Sequence, residues 1–191
     1  MIKKGLVVMS LGIFLMLMSF SDIKETTYNV DSEKSTLKWT GYHLAKSYEH
    51  NGNVKIKSGS LKVENGNITG GEFIIDMASI SNNDLTDSKK NAKLVNHLKS
   101  DDFFAVEKHP EAKLVINKVE GSKATGAVTI RGITEPISFE FKIEESDESK
   151  LVASASFNID RTKHEVSYGW TIENAMLSNE FKIDIKLVAV K

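Results

Sequence analysis

The chain has 191 residues, of which 40% are hydrophobic, and its 25 basic and 26 acidic side chains give a formal net charge of −1 at pH 7. This length suits one well-buried domain and is short for two. The near-zero charge argues against nucleic acid as a partner, because polyanions are bound by strongly basic surfaces. The chain has no cysteine, which excludes disulfides, thiolate metal sites, a cysteine nucleophile and a lipid-modified cysteine.

Residues 1–21 differ in character from the rest of the chain. Lys3 and Lys4 precede a nearly uncharged apolar run, residues 6–20, and Ser19 and Ser21 supply small residues for a cleavage site at its end. This is the form of a secretory signal peptide, so we predict that residues 1–21 are removed and that 22–191 form the mature domain. Cleavage leaves 23 basic and 26 acidic residues, a net charge of −3. The alternative is a retained membrane anchor, for which the run is somewhat short.

Beyond this segment, apolar and polar residues alternate with a period of two, which predicts β-strands with one buried face. The pattern is clearest at residues 137–143 and 181–187, and it also runs through residues 151–159. Ala153 and Ala155 take inward positions in the strand at residues 151–159, and such small side chains leave space inside. In chain order, the predicted strands are residues 28–30, 36–42, 53–57, 60–64, 68–77, 113–119, 125–131, 137–143, 151–159 and 181–187.

Turn residues separate these strands. Asn51-Gly52 and Asn65-Gly66 are dipeptides typical of β-hairpins, and Ser58-Gly59 and Glu120-Gly121 also interrupt the pattern. Residues 144–150 form a polar loop. The sequence therefore predicts antiparallel hairpins.

One helix is predicted, at about residues 87–98. Leu94, Val95 and Leu98 share a helical face, which leaves the lysines of this segment in solvent. Residues 84–87 supply acidic groups that cap the start of the helix. A single helix among many strands predicts an antiparallel barrel or sandwich, and strand count alone does not separate the two.

Side chains of one parity on neighbouring strands are expected to face the interior. After the helix, Phe103 and Phe104 are too apolar for an ordinary exposed loop, so we predict that they plug or line a cavity. The alternative is that both rings only anchor the loop to the core. The predicted apolar lining comprises Trp39, Phe73, Ile75, Phe103, Phe104, Val128, Ile130, Phe139, Phe141, Phe157 and Ile159.

Four separated segments, in this order along the chain, resemble those of one protein family. Residues 96–110 read NHLKSDDFFAVEKHP, and shorter matches are LKWTG at 37–41, GAVTIRGIT at 126–134 and FNIDRTK at 157–163. Together they resemble the YceI-like polyisoprenoid-binding proteins. The resemblance implies a lipocalin-like barrel of eight antiparallel strands that holds a long apolar ligand.

We therefore predict an all-β, one-domain binding protein, bacterial and either periplasmic or secreted. Its expected partner is an apolar lipid, a polyisoprenoid or a quinone tail, with no other cofactor, no nucleic acid and no stable membrane insertion after signal cleavage. A homodimer is compatible with this prediction. Arg131 and Arg161, each at a strand end, are candidates for contact with the polar head of the ligand; the alternative is that they are surface charges.

Two other functions stay open from the sequence. A barrel filled by its own side chains would serve as a structural or interaction module. An enzyme would need a metal site assembled from strands, for which His43, His50 and His164 are the candidates. Their spacing matches no metal-binding motif. No phosphate-binding loop or serine-nucleophile motif occurs in the chain.

Overall fold

The computed structural model describes residues 25–44, 48–167 and 176–191. The predicted signal peptide, residues 1–21, lies outside the described residues. None of the helices within these ranges has the length and apolar character needed to cross a membrane. In chain order, the elements are β1 (Glu25–Val30), β2 (Thr36–His43), β3 (Glu49–Asn53), β4 (Lys55–Glu64), β5 (Asn67–Asp76), α1 (Ser88–Lys99), β6 (Glu111–Glu120), β7 (Lys123–Ile130), β8 (Ile133–Ser146), β9 (Lys150–Asp160) and β10 (Leu177–Val190).

The strands form a closed antiparallel barrel. Its ring runs β1, β4, β5, β6, β7, β8, β9, β10 and returns to β1, where Asn29 pairs with Val190. β2 continues the line of β1 along the edge of β10, and β3 pairs with β2 just before the chain enters β4. The ten segments of the described chain therefore occupy eight positions around the barrel, which confirms the predicted eight-stranded fold.

α1 closes one end of this barrel. The carboxylate of Asp87 accepts hydrogen bonds from the backbone N–H groups of Lys89 and Lys90, which have no partner within the helix. Leu98 is buried, Leu94 is half-buried, and the opposite face is polar. The helix predicted at residues 87–98 is confirmed, with Asp87 as its cap rather than its first residue.

Two of the turn predictions hold. Asn65 and Gly66 connect β4 to β5 with φ of 50° and 83°, the left-handed pair expected of a tight hairpin turn. Gly121 follows β6 with φ of 61°. In contrast, Ser58-Gly59 does not end a strand: it lies inside β4, where the register with β5 shifts between Ile56 and Ser58.

The prediction of a hairpin turn at Asn51-Gly52 is wrong. Gly52 lies within β3, opposite Trp39 of β2. The segment after β5 crosses directly over it: a Cβ at position 52 would lie 1.7 Å from the carbonyl oxygen of Ser81. The same oxygen accepts a hydrogen bond from the indole N–H of Trp39 at 3.1 Å. Glycine is required here for the close approach of two backbones, not for a turn.

Gly52→Ala should therefore destabilise the protein strongly. The added methyl group overlaps a backbone carbonyl that cannot rotate away, and we expect a loss of about 3 kcal/mol or more in the free energy of unfolding. Gly41→Ala is the matched control, because its Cβ would meet nothing closer than a Trp39 ring carbon at 3.9 Å. Urea denaturation of both variants measures the difference. Equal losses would contradict the close-approach explanation.

Candidate ligand-binding cavity

The barrel encloses a cavity of about 240 Å³. Its wall takes side chains from β2 to β10, from α1 and from the loop after α1, and most of them are apolar. The structure brings together on this wall all eleven side chains of the predicted lining: Trp39, Phe73, Ile75, Phe103, Phe104, Val128, Ile130, Phe139, Phe141, Phe157 and Ile159. Contact between these side chains and a ligand remains a prediction.

Strand parity explains why the middle of the cavity is both apolar and open. Phe139 of β8 and Phe157 of β9 both point inward, and their rings stack at a centroid distance of 4.4 Å. Ala153 and Ala155, on the same face of β9, project only a methyl group each. Space is therefore left beside the two rings. The small residues widen the cavity where larger ones would fill it.

Aromatic rings from the loop after α1 cover the end of the barrel that α1 closes, which we call the helix end. Phe103 lies edge-on to Phe104 at 4.9 Å and to the imidazole of His97 at 5.7 Å. Phe104 in turn approaches Phe181 of β10 at 6.3 Å. Both rings are half-buried and line the cavity. They connect the loop to the barrel and also form part of the wall.

The polar part of the wall is concentrated at the helix end. Apart from Ser154, the polar lining residues within the described ranges lie near the end of β2, the start of β3, the C-terminal half of α1 and the junction of β9 with β10. They are Tyr42, His50, His97, Arg161, Ser178 and Glu180. The cavity is thus apolar along its length and polar at one end.

Arg161 is the most deeply buried charge of this polar end, with 5% of its surface exposed. Its guanidinium donates to the carbonyl oxygens of Ser178 at 2.9 Å and Val166 at 2.7 Å. Burial lowers the pKa of Arg161, and the Asp160 carboxylate acts in the opposite direction. The ordinary pKa of a guanidinium is so high that the group stays charged. The alternative of a surface charge is therefore wrong for Arg161.

Arg131 lies elsewhere. It occupies a turn between β7 and β8 with φ of 53°, and it is not among the residues that line the cavity. Its guanidinium donates to the carbonyl oxygens of Glu165 and Asp101. This position ties two loops together and offers no support for a contact between Arg131 and a ligand in the cavity.

Two histidines differ in their electrostatic surroundings. Burial lowers the pKa of His97, with Asp102 acting in the opposite direction, so its imidazole is mainly neutral at pH 7. His50 instead contacts the carboxylate of Asp84 at 2.7 Å. Burial raises the pKa of Asp84, but hydrogen bonds from the Asn51 backbone and from the His50 and Asn82 side chains lower it overall. The Asp84 carboxylate therefore holds the His50 side chain in place at the helix end of the cavity.

Of the histidines proposed for a metal site, His43 and His50 both contact the ring of Tyr48, whereas His164 contacts the backbone of β8. His43 stacks on Tyr48 at 4.5 Å, whereas His164 is 1% exposed and its Nδ1 contacts the carbonyl oxygen of Ile133 at 3.1 Å. Within the described ranges, no group of three or more His, Asp or Glu side chains is placed to hold a metal ion. His164 is a buried structural residue. The polar residues around it in the sequence did not indicate this burial.

Sequence reasoning missed most of the polar end, and the geometry of β10 explains why. The register between β10 and β2 shifts between Leu177 and Phe181. Because of this irregularity, Ser178 and Glu180 reach the cavity as well as Leu177 and Phe181, and simple alternation fails. The one feature of the sequence that could have indicated these cavity residues is that they lie next to the end of an apolar strand.

A closed antiparallel barrel around an apolar cavity defines the lipocalin-like class of fold. Comparison with known families specifies it further: the profile of the YceI-like domain matches residues 28–189, most of the chain. The chain therefore belongs to the YceI-like domain family, as the sequence motifs predicted.

Relatives and solved structures agree with this assignment. A UPF0312 protein of Pseudomonas putida strain W619 is 31% identical over 148 residues, which cover 73% of this chain and 72% of the relative. The crystal structure of BcnA from Burkholderia cenocepacia superimposes with a TM-score of 0.67 at 23% identity, over 84% of this chain and 99% of BcnA. A polyisoprenoid binding domain from Saccharophagus degradans gives 0.63 at 12% identity, over 85% of this chain and 97% of that domain. At these identities, the structural matches show a shared fold.

Proposed function

We propose that this protein reversibly binds the apolar chain of an amphiphilic lipid inside its barrel. The observation that carries the proposal is the distribution of polarity in the cavity: apolar side chains along the barrel and polar side chains gathered at the helix end. A lipid with a long tail and a small polar head matches this arrangement. The tail would lie among the rings of β8 and β9, and the head would lie near Arg161.

The energetics of such binding favour a long tail. Each methylene group removed from water contributes about 0.8 kcal/mol, so about ten buried groups offer roughly 8 kcal/mol before ordering costs are subtracted. Few polar contacts are then needed. The Arg161 guanidinium already donates to two backbone carbonyls, which orients it without help from a ligand.

The class of lipid is a further part of the proposal. An isoprenoid chain, as a polyisoprenoid or as a quinone tail, fits a narrow cavity that is apolar along its length and polar at the helix end. The solved relative from Saccharophagus degradans is described as a polyisoprenoid binding domain, and the family motifs support the same class. The N-terminal lysines and apolar run support export, so we propose binding in the periplasm or outside the cell.

Native mass spectrometry of protein purified from its own host, followed by lipid extraction, tests the proposal. We expect an added mass in the native spectrum and an isoprenoid-class lipid in the extract. The chain mass in the same spectrum shows whether residues 1–21 are absent, and the oligomer mass shows how many chains associate. A protein that carries no lipid and also fails to take up added polyprenol or ubiquinone would contradict lipid binding and favour the self-filled barrel.

A further inference from the structure

The outer face of α1 carries a concentration of positive charge that the fold itself does not use. The helix contains Lys89, Lys90, Lys93 and Lys99 and no acidic residue. Within the described residues, none of these four side chains takes part in an ion pair. The whole chain has a net charge of −1, so this local excess of positive charge is specific to the helix.

The position of α1 places these lysines over the polar end of the cavity. Leu94 and Leu98 line the cavity from the inner face of the helix. Asn91 fixes its first turns, because its side-chain N–H groups donate to the carbonyl oxygens of Asn82 at 3.0 Å and Leu85 at 3.1 Å. The lysines of the first turns, 89, 90 and 93, are exposed on the outer side.

Three of the acidic groups that flank α1 are engaged. Asp87 caps the helix, Asp84 contacts His50, and Asp101 forms an ion pair with Lys108 at 2.6 Å. Asp102 and Glu107 follow the helix and are exposed. The positive field is therefore strongest over the first two turns, away from these last two carboxylates.

Exposed apolar side chains lie at the same end of the barrel. Leu44 is 51% exposed and Tyr48 is 54% exposed, on either side of the tip that joins β2 to β3. Met176, at 43%, directly precedes Leu177, which pairs with His43 at the end of β2. Three large apolar residues thus project at the helix end, beside the polar end of the cavity.

We propose that the helix end of the barrel docks peripherally on an anionic lipid bilayer. Lysines that approach phosphate head groups, together with aliphatic and aromatic side chains that enter the interfacial layer, are the combination that such surfaces bind. A soluble polyanion would use the lysines but not the apolar residues. The docking would bring the polar end of the cavity close to the membrane surface. It goes beyond the proposed lipid binding and does not depend on it, because docking needs no lipid in the cavity.

Vesicle co-sedimentation tests the docking. The probes are vesicles of phosphatidylcholine alone and vesicles in which about a third of the lipid is phosphatidylglycerol. We expect salt-sensitive binding to the anionic vesicles only. A K89Q/K90Q/K93Q variant should partition about 100-fold more weakly, because each lysine near an anionic surface contributes about fivefold. All variants are produced in the native host, so that each carries the same processed N-terminus and differs only at the substituted positions.

The matched control is K62Q/K123Q/K186Q, which changes the net charge equally through exposed lysines near the other end of the barrel. It should bind anionic vesicles like the unmodified protein. An equal loss of binding in this control would overturn the proposal, as would wild-type protein that binds no anionic vesicles.

An L44S/M176S variant distinguishes a membrane from an acidic protein partner. This variant should bind anionic vesicles about tenfold more weakly, and its affinity for polyglutamate should not change. Binding to polyglutamate as tight as to vesicles, unchanged in this variant, would also overturn the proposal.

Discussion

Replacement of Ala155 by phenylalanine should weaken lipid binding about 100-fold while the barrel stays folded. Ala155 lines the cavity in the middle of β9, between Phe141 and Ile185 on the neighbouring strands. A ring at this position would occupy space proposed for the tail and displace about four methylene groups, worth roughly 3 kcal/mol or about 100-fold in the dissociation constant. The cavity can accept the ring, so the free energy of unfolding should fall by less than about 1.5 kcal/mol.

Ser156→Phe is the control for this experiment. Ser156 is the next residue of β9 and is exposed on the outer face of the barrel, so its ring would point away from the cavity. Titration of each variant with a fluorescent polyprenol or ubiquinone analogue, with a urea unfolding curve on the same preparation, separates affinity from stability. Undiminished lipid affinity in Ala155→Phe would show that the tail does not lie in this cavity.

The second large effect is expected from alanine at both Phe103 and Phe104. The rings line the cavity but are only half-buried, so their removal should cost less stability than the 3–5 kcal/mol typical of a fully buried ring. If a lipid occupies the cavity, it covers the exposed part of both rings. We then expect the dissociation constant to rise by about tenfold or more, a larger effect than the loss of folding stability explains.

A destabilised barrel with an intact wall provides the comparison. Val152 of β9 and Val188 of β10 pair with each other and are both buried, yet neither lines the cavity. Val152→Ala combined with Val188→Ala should lower the thermal midpoint without changing the affinity of the folded protein. The loop rings would be core anchors alone if the Phe103/Phe104 double variant behaved in the same way, with a lower midpoint and unchanged affinity.

Local patterns in the sequence were sufficient for much of the fold. Alternation identified the strands because each has one face toward the interior and one toward solvent, and the same parity predicted that Phe139 and Phe157 point inward. Asp87 and the lysines that follow indicated where α1 begins, since capping is a local interaction. The YceI-like motifs then decided between a barrel and a sandwich, which periodicity alone did not separate.

What the sequence determined by itself, then, is most of the strands, the helix, the family and the apolar lining, because each depends on neighbours along the chain or on a stretch of motif. Only the tertiary structure decided the role of Gly52, whose partner Ser81 is distant in sequence. It also separated Arg161, buried at the cavity, from Arg131, which ties two loops together. Finally, it assembled the polar end from several strands, where the irregular register of β10 removes the alternation on which sequence reasoning depends.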